Sequence, residues 1–379
     1  MKRILIITLE FPPQIGGIAA YAHDLASALP AAKVVVLAPR LKKGDDADIQ
    51  APYEIVRQKL FFPRWVWPRW LRLLLVSAWI VRRKKIELVL IHHILPAGYA
   101  GWLIKKIFRV PYLLFSHGTD VLAAAGTRRK KAFTGLIARG AEQLVFNSES
   151  LRRRFLRVWP ELEKNSLVLY PCPHPDFFAP PPPAELHELR RRLALEGKRV
   201  VLSVARLAEG KGFPHLIRIM DKVLARNPNV VWLIVGTGPK EAEILAQIQK
   251  KSLQNIVRFI GEVPRSRLPA YYYLADLFVL LTHPDEGREE GLGLVFLEAG
   301  AAGLPVIAGK SGGVEEGVAQ AETGLVFDVY RESRHIEDAI VELLENRAYA
   351  RQLGAQARER LNSEFSWPHQ LDKLAPWIG

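Results

Sequence analysis

The stretch Glu290-Gly-Leu-Gly-Leu-Val-Phe-Leu-Glu298, continued by Ala299-Gly-Ala-Ala-Gly-Leu-Pro-Val-Ile307, is the most informative feature of this chain. A glycine-rich loop opens an apolar helix here, and a β-branched run follows the helix. Two carboxylates stand eight positions apart, Glu290 in the loop and Glu298 inside the helix. Backbone N–H groups at a helix start attract phosphate, and carboxylates accept hydrogen bonds from sugar hydroxyls. The pattern therefore predicts a ligand with hydroxyls at both ends and an anion between them, which describes a nucleotide sugar.

Outward from this stretch, short β-branched runs alternate with longer amphipathic stretches along the chain. The alternation predicts an α/β protein with parallel sheets built from βαβ units. A proline run at 179–184 interrupts it, and we interpret this run as a semi-rigid linker between two domains. Strands are predicted on both sides of the linker, at residues 3–8, 33–37, 88–92, 112–116, 143–146, 166–169, 199–204, 230–235, 257–260, 277–281, 305–308 and 324–326.

The composition is that of a well-packed soluble protein of two domains, with 379 residues, 49% apolar and 24% charged. The single cysteine, Cys172, excludes an internal disulfide and indicates a reducing compartment. The apolar run after Met1 is cut by Glu10, so it predicts a first strand and not a signal peptide. Uncharged runs stay well below the roughly 20 residues that cross a bilayer.

The net charge of +14 belongs entirely to the first half of the chain. Residues 1–185 hold 28 Lys and Arg against 14 Asp and Glu, whereas residues 186–379 hold 25 of each. A basic half suits nucleic acid, an anionic membrane or an acidic substrate.

Basic and glycine residues follow the first predicted strand of the second half. Arg206 and Lys211 lie between this strand and a helix, at the edge where open α/β sheets bind ligands, and can neutralise a diphosphate. Gly236, after the next strand, permits close backbone approach to a ligand, and backbone groups near Val263 could contact a nucleobase.

The first half offers two further candidate sites. Gly16 and Gly17 link the first strand to the first helix, so their N–H groups could approach a phosphate or sugar. They do not form the G-x-G-x-x-G motif, which disfavours a nicotinamide cofactor. His117, with Asp120 nearby, follows a predicted strand and is a candidate for polar contact in a cleft.

The segment 57–85 interleaves tryptophan with arginine and ends in Arg82-Arg-Lys-Lys85. Trp and Arg beside an apolar helix suit the headgroup layer of an anionic bilayer, although part of the segment must pack onto the sheet. We therefore expect peripheral membrane docking through this segment.

Together these motifs resemble the retaining glycosyltransferases of family 4 over essentially the whole chain. The resemblance rests on Gly16-Gly17, His117-Gly118, Arg206 with Lys211, and the stretch from Glu290 to Glu298. That last stretch, with its glycine-rich continuation, looks closest to bacterial phosphatidylinositol-mannoside mannosyltransferases and related lipid or cell-wall enzymes.

The resemblance implies the GT-B fold, in which two Rossmann-like domains with parallel sheets face each other across a cleft. It implies an acceptor-binding domain at 1–176, a nucleotide-sugar-binding domain at 177–362, and a C-terminal helix at 363–379 that returns to the first domain. The loop Pro171-Cys-Pro-His-Pro-Asp176 departs from the Pro-Asn-Gly-Val-Asp of many relatives, so acceptor contacts there are not carried over.

The roles that the resemblance implies divide into donor, acceptor and catalytic contacts. Glu298 would hold the ribose hydroxyls, Arg206 and Lys211 the diphosphate, and His117 would lie near the C6 hydroxyl and the reacting centre. The donor set is Gly16, Gly17, Arg206, Lys211, Gly236, Val263, Glu290, Gly291, Leu292, Gly293, Leu294 and Glu298. The acceptor set is Gly16, Gly17, Tyr21 and Asp120, and the catalytic set is His117, Arg206, Lys211 and Glu290.

The implied reaction moves a hexose of the mannose or glucose type from a nucleotide diphosphate sugar to a hydroxyl, with retained anomeric configuration. GDP-mannose is the favoured donor, although UDP donors remain open, and a lipid-linked or cell-envelope glycan is the expected acceptor. We expect no cofactor and no metal, because two cationic side chains and a helix dipole can replace a divalent ion. The enzyme would be cytoplasmic and peripheral on the inner face of the membrane.

Two other functions fit parts of the sequence. A GT-B-type sugar-nucleotide epimerase would share the fold, but the paired carboxylates and paired cations favour transfer. A basic nucleic-acid-binding protein would explain the charge, but nothing in the sequence resembles a recognition helix, an RNA-binding sheet or a zinc site. We therefore expect no nucleic-acid partner.

Overall fold

The computed structural model describes residues 1–14, 16–40, 51–118, 121 and 126–379 and divides the chain into two compact units. Unit 1 comprises Met1–Cys172 with Trp367–Gly379, and unit 2 comprises Pro173–Ser366. The chain therefore changes units at Cys172 and Ser366, and not at the expected residues 176 and 362. The proline run interpreted as a linker lies inside unit 2, where a helix begins at Pro183. Proline is tolerated there because its fixed φ suits the first helical turn.

Unit 1 is built on a seven-stranded parallel sheet in the order β3-β2-β1-β4-β5-β6-β7. Its strands are β1 (Ile4–Ile7), β2 (Val34–Pro39), β3 (Glu54–Gln58), β4 (Leu88–Ile91), β5 (Tyr112–Ser116), β6 (Gln143–Phe146) and β7 (Ser166–Val168). The strand β3 was not predicted, because it lies at the sheet edge and carries polar, partly exposed side chains. All strands run in one direction, so their carboxyl ends meet at one edge, where ligands bind in open α/β sheets.

Helices and short 3₁₀ turns connect these strands. The helices are α1 (Gly17–Ala28), α2 (Leu71–Lys84), α3 (Ala97–Phe108), α4 (Arg128–Gly140) and α5 (Glu149–Leu156), with 3₁₀ turns at Ala31–Lys33 and Pro160–Asn165. Side chains alternate between the two faces of the sheet, so β1 contributes Leu5 and Ile7 to the core beneath α2 to α5 and Ile4 and Ile6 to the core beneath α1. Both faces are covered, which is why β1 is an unbroken apolar run.

The C-terminal tail packs against unit 1 on the α1 side of its sheet. It forms two short helices, α14 (Trp367–Asp372) and α15 (Ala375–Ile378), numbered after the helices of unit 2. Leu374 and Ile378 are buried in the core beneath α1, and the Lys2 backbone N–H donates to the Ile378 carbonyl at 2.9 Å. The tail therefore completes one of the two cores of unit 1.

Unit 2 repeats the same plan with a six-stranded parallel sheet in the order β10-β9-β8-β11-β12-β13. Its strands are β8 (Arg199–Val204), β9 (Val230–Val235), β10 (Val257–Gly261), β11 (Leu277–Leu280), β12 (Val306–Gly309) and β13 (Leu325–Phe327). Its helices are α6 (Pro183–Arg192), α7 (Phe213–Arg226), α8 (Glu241–Lys250), α9 (Leu268–Leu274), α10 (Leu294–Ala301), α11 (Val314–Gly317), α12 (Ser333–Glu345) and α13 (Arg347–Glu364), with 3₁₀ turns at Pro175–Phe178 and Arg265–Arg267. The predicted α/β class with parallel sheets is confirmed in both units.

Candidate active site

The loop between β8 and α7 carries the two predicted cations of unit 2. Arg206 is exposed at the carboxyl end of β8, and Lys211 is partly buried just before α7. Gly212 adopts φ 74°, and a Cβ there would collide with the Leu281 carbonyl at the end of β11. The Gly210 carbonyl accepts a hydrogen bond from the His283 N–H at 2.9 Å. The loop therefore packs directly on the end of β11, which sets the position of Lys211.

Lys211 and Glu290 form an ion pair between the Nζ and Oε2 atoms. Their side chains are 26% and 20% exposed, so the pair is accessible but largely withdrawn from water. A partly desolvated ion pair interacts more strongly than one on the surface. The structure thus brings together the predicted diphosphate contact and the predicted sugar contact.

Glu290 is positioned through its backbone by the glycine-rich turn that follows β12. Its N–H donates to Ser311 Oγ at 3.1 Å, and its carbonyl accepts from the Gly313 N–H at 3.1 Å. Gly312 adopts φ 55°, and a Cβ at this position would collide with the Glu290 carbonyl. The Ser311-Gly-Gly313 turn therefore supports Glu290, although Ser311 lies 21 positions further along the chain.

The helix α10 begins at Leu294, four positions after Glu290. Gly293 precedes the helix with φ 83°, and no side chain caps its first turn. Leu294 and Val295 are partly exposed at this turn, whereas Leu292 is buried and anchors the loop. The first N–H groups of a helix lack intrahelical partners, so this turn has the positive potential that binds an anion.

Glu298 occupies a more enclosed environment than the sequence suggested. Its residue is 4% exposed, and its Oε2 accepts a hydrogen bond from the hydroxyl of buried Tyr272 at 2.9 Å. Burial and then the adjacent Glu298 raise the pKa of Tyr272 well above its usual value, so this tyrosine stays a donor. Sequence reasoning missed Tyr272, and only its place in the run Tyr271-Tyr-Tyr273 on α9 could have drawn attention to it.

Gly236 supports the site through the backbone. Its N–H donates to the Gly261 carbonyl at 2.7 Å, so this donor is already satisfied within the fold. Its φ is 129°, and a Cβ would collide with the Ala205 carbonyl. Gly236 therefore lets the end of β9 approach the loop that carries Arg206. Val263 is buried shortly after β10.

In unit 1, the carboxyl ends of β4 and β5 bring three histidines together. His92 Nδ1 lies 3.1 Å from His117 Nε2, and the two rings are stacked with centroids 5.3 Å apart. Burial, followed by the effect of His93, lowers the pKa of His117 to about 3. Burial also lowers the pKa of His92, with smaller contributions from His117 and then His93. Both rings are therefore neutral at physiological pH. His92 and His93 were not predicted as site residues, although His92 ends the strand predicted at 88–92 and His93 directly follows it.

Tyr21 packs beside His117, with ring centroids 5.0 Å apart. Its hydroxyl donates to the Leu169 carbonyl at 3.0 Å, and burial raises its pKa. Tyr21 was predicted to contact the acceptor substrate, but its hydroxyl already donates a hydrogen bond within the fold. Its ring packs against His117. The Trp367 ring of the tail makes an edge contact with the Tyr21 ring, with centroids 5.6 Å apart.

The remaining predicted contacts of unit 1 lie at the start of α1. Gly16 precedes the helix without a side-chain cap, and a Cβ on Gly17 would meet no described atom within 4 Å. Packing within the described structure therefore does not require glycine at position 17. Asp120, the other predicted acceptor contact, lies outside the described residues.

Two other kinds of feature are absent from the described ranges. Among these residues, no helix is both long enough and apolar enough to pass through a bilayer. The described side chains also contain no group of three or more His, Cys, Asp or Glu placed to hold a metal ion.

Known glycosyltransferase families match most of each unit. Residues 15–173 match the family described as "Glycosyltransferase Family 4", and residues 187–360 match "Glycosyl transferases group 1". The chain is 31% identical over 392 residues to a GDP-mannose-dependent alpha-(1-6)-phosphatidylinositol monomannoside mannosyltransferase of Mycobacterium tuberculosis, covering 100% of this chain and 98% of the relative. The corresponding enzyme of Mycolicibacterium smegmatis is 30% identical, covering 98% and 97%.

Solved structures share the fold at lower identity. Anabaena Alr3699/HepE in complex with UDP-glucose superposes with a TM-score of 0.82 at 21% identity, covering 99% of both chains. Sucrose-phosphate synthase from Thermosynechococcus elongatus superposes with a TM-score of 0.81 at 23% identity, covering 99% of this chain and 98% of the other. The two parallel sheets, the family matches and the full-length relatives agree, and the chain belongs to the GT-B glycosyltransferases with a family 4 domain followed by a group 1 domain.

Proposed function

We propose that this glycosyltransferase moves mannose from GDP-mannose to a hydroxyl of a lipid-linked or cell-envelope glycan, with retained anomeric configuration. The observation that carries the proposal is the Lys211–Glu290 pair beside the uncapped N-terminus of α10. It combines a cation, a carboxylate and free helix-start N–H groups in one place, which are the groups that a sugar diphosphate requires. The full-length relatives whose names specify GDP-mannose and phosphatidylinositol monomannoside favour this donor and a lipid-linked acceptor.

In the proposed mechanism, unit 2 stabilises the leaving diphosphate. Cleavage of the sugar–phosphate bond leaves its electron pair, and hence negative charge, on the diphosphate. In this proposal Arg206, Lys211 and the N–H groups at Leu294 would be preorganised positive groups facing that charge, which would lower the barrier. We therefore expect full activity after treatment with EDTA.

Glu290 has two roles in the proposed mechanism. It holds Lys211 in place before the donor binds, and its carboxylate can accept hydrogen bonds from the hydroxyls of the transferred sugar. Glu298 would accept from the ribose hydroxyls at the other end of the donor. Glu298 already accepts from Tyr272, so this hydroxyl would fix the carboxylate's orientation towards the ribose.

Neutral His117 would contact the sugar near its C6 hydroxyl. We assign neither carboxylate as a covalent nucleophile, since Glu290 is occupied with Lys211 and Glu298 with Tyr272. Departure of the diphosphate and attack by the acceptor on the same face of the sugar is the route that retains configuration without such a nucleophile. The acceptor proton would pass to the departing phosphate oxygen.

The purified enzyme tests this directly. Thermal shift against GDP, UDP and ADP and their common sugars identifies the donor, and GDP-mannose should stabilise the enzyme most. Release of GDP that depends on a phosphatidylinositol mannoside acceptor, with an α-linked product by NMR, is the expected result. A β-linked product would contradict retention of configuration. Conversion of GDP-mannose to an epimeric GDP-sugar without any acceptor would contradict the proposed transfer.

We also propose that the segment 57–85 docks unit 1 on an anionic membrane, which would place the enzyme on the inner face. Trp65 and Trp67 are 85% and 90% exposed in a turn just before α2. Trp70 at the base of this turn stacks on Tyr99 at 4.9 Å, and Tyr99 meets half-exposed Phe133 of α4 at 5.8 Å. The aromatic surface therefore extends from the Trp turn to α4.

Cations surround this aromatic surface. The first turn of α4 carries four exposed bases, Arg128 to Lys131, and no acidic residue. Bases at a helix N-terminus oppose the helix dipole, so an external anion would relieve an unfavourable arrangement. On α2, Arg83 lies over exposed Trp79 at 5.5 Å. Aromatic rings with basic neighbours suit the interface of an anionic bilayer.

A further inference from the structure

The hydrogen bond between His92 and His117 requires that one of the two facing nitrogens carries a proton and that the other does not. The two nitrogens that face each other, His92 Nδ1 and His117 Nε2, are 3.1 Å apart, and the ring planes differ by 11°. Burial keeps both rings neutral, so each carries one proton on one of its two nitrogens. One ring must donate and the other must accept, and the choice fixes which nitrogen of each ring is protonated.

The surroundings of His92 distinguish the two arrangements. His92 is fully buried, stacked on Phe115 at 4.4 Å, with the Tyr21 ring 5.9 Å away. Its second nitrogen, Nε2, is buried and meets no hydrogen-bond partner within the described part of the chain. If His92 accepted from His117, its own proton would sit on Nε2 as a buried donor without an acceptor. If His92 donates from Nδ1, Nε2 is only a bare acceptor.

Buried N–H groups without an acceptor are rare in folded proteins, whereas acceptors without a partner are somewhat more common. Donation from His92 Nδ1 therefore has the lower free-energy cost. It leaves His117 with a bare Nε2 and a proton on Nδ1, the nitrogen that His92 does not occupy.

We propose that His92 is a positioning residue that donates from Nδ1 to His117 Nε2 and thereby holds His117 as a neutral donor with its proton on Nδ1. The inference rests on the proposed contact of His117 with the donor sugar. In this tautomer, His117 offers an N–H to a sugar oxygen and cannot act as a base through Nδ1. The orientation is fixed by a buried partner that never touches the substrate.

The tautomer can be measured without turnover. In the ¹⁵N-histidine-labelled full-length enzyme, long-range ¹H–¹⁵N correlations separate protonated from bare ring nitrogens, and His117→Gln identifies the signals of His117. We expect a protonated Nδ1 and a bare Nε2 on His117, unchanged from pH 8 to pH 5. A protonated Nε2 on His117, or an imidazolium within this range, would overturn the proposal.

Substitutions at His92 separate positioning from packing. Asn places an amide N–H near the position of Nδ1, whereas Gln places it near Nε2 and Leu supplies no donor. We expect His92→Gln and His92→Leu to lower kcat about 10- to 100-fold, as loss of an orienting partner does elsewhere, and His92→Asn to restore most of it. Donor KM should change little in all three.

Equal losses in the Asn and Gln enzymes would show that His92 acts only through packing, and the proposal would fall. A thermal-unfolding midpoint for each variant checks that the fold is intact. A fully active His117→Ala enzyme would contradict the proposed role of His117 instead, and the NMR tautomer would still report whether His92 orients that ring.

Discussion

Lys211 and Glu290 form an ion pair although they lie 79 positions apart in the sequence. The β8–α7 loop supplies the cation, and the loop before α10 supplies the carboxylate. Each loop is held by backbone contacts with glycine, at Gly212 for the first and Gly312 for the second. The pair places a cation where charge would develop on a departing diphosphate, beside a carboxylate that can bind the sugar.

Replacement of Lys211 by alanine should lower kcat about 10²- to 10³-fold, the usual effect of removing one preorganised donor from a developing anion. Steady-state kinetics with saturating donor and acceptor measure this effect. Lys251→Ala is the matched control, because it removes a lysine of the same unit that pairs with Asp221 on the surface. Near-normal turnover in the Lys211 variant would remove the cation from the mechanism.

Replacement of Glu290 by glutamine should have a different signature. It frees Lys211 from its partner, so we expect binding of GDP to be maintained or tightened while transfer of the sugar is lost. Calorimetric titration with GDP and GDP-mannose separates these two effects. Parallel loss of GDP affinity and turnover would mean that Glu290 serves mainly to hold the loop.

Replacement of Gly312 by alanine should lower kcat/KM at least tenfold, because the added Cβ would push on the Glu290 carbonyl and displace its carboxylate. Gly197→Ala provides a matched control in the same unit. Gly197 has a similar φ of 68°, but a Cβ there would meet nothing within 4 Å of it in the described structure. Both variants carry the cost of a left-handed residue, about 1–2 kcal/mol, so only a difference between them reports on Glu290.

Replacement of Trp65 and Trp67 by serine should lower binding to anionic liposomes about tenfold or more, since burial of one large apolar side chain contributes about 1.5–3 kcal/mol. Co-sedimentation with phosphatidylglycerol vesicles measures the effect, and added salt should weaken binding of the parent enzyme. Tyr330→Ser is the control, as Tyr330 is a 65% exposed aromatic residue of unit 2. Binding that ignores both salt and the tryptophans would contradict the docking proposal.

Acidification should destabilise unit 1 through its buried histidines. The folded pKa of His117, about 3, lies below the value near 6.5 expected for an unfolded chain, so the unfolded state binds more protons in between. The contribution of His117 is therefore fully present above pH 6.5 and is lost as the pH falls towards 3. The free energy of unfolding should fall by at most about 1.4 kcal/mol per pH unit for each such histidine.

Urea denaturation at pH 7, 6 and 5 measures this slope for the parent enzyme, for His117→Gln and for His187→Gln. His187 is exposed on unit 2, so its loss should leave the slope unchanged, whereas loss of His117 should flatten it. A slope that His117→Gln does not alter would mean that this histidine is already protonated in the folded state or contributes nothing to acid sensitivity.

Local sequence patterns were sufficient to predict the fold class, the family and most of the strands. Buried parallel strands such as β1 and β9 are continuous apolar runs, and this local signal needs no tertiary context. The edge strand β3 was not predicted, because its partly polar residues do not form a continuous apolar run. Arg206, Lys211, Glu290 and Glu298 were predicted as site residues because they lie in loops after strands or in the helix that a glycine-rich loop opens.

The partners of these side chains, by contrast, could not be predicted from local patterns. The pairing of Lys211 with Glu290, the hydroxyl of Tyr272 on Glu298 and the contact of His92 with His117 all join residues from separate βα units. Such contacts depend on strand order and on which carboxyl ends become neighbours in the sheet. Strand order results from long-range packing of the whole sheet, which no local pattern of residues encodes, so the partners of the site residues emerge only in the folded chain.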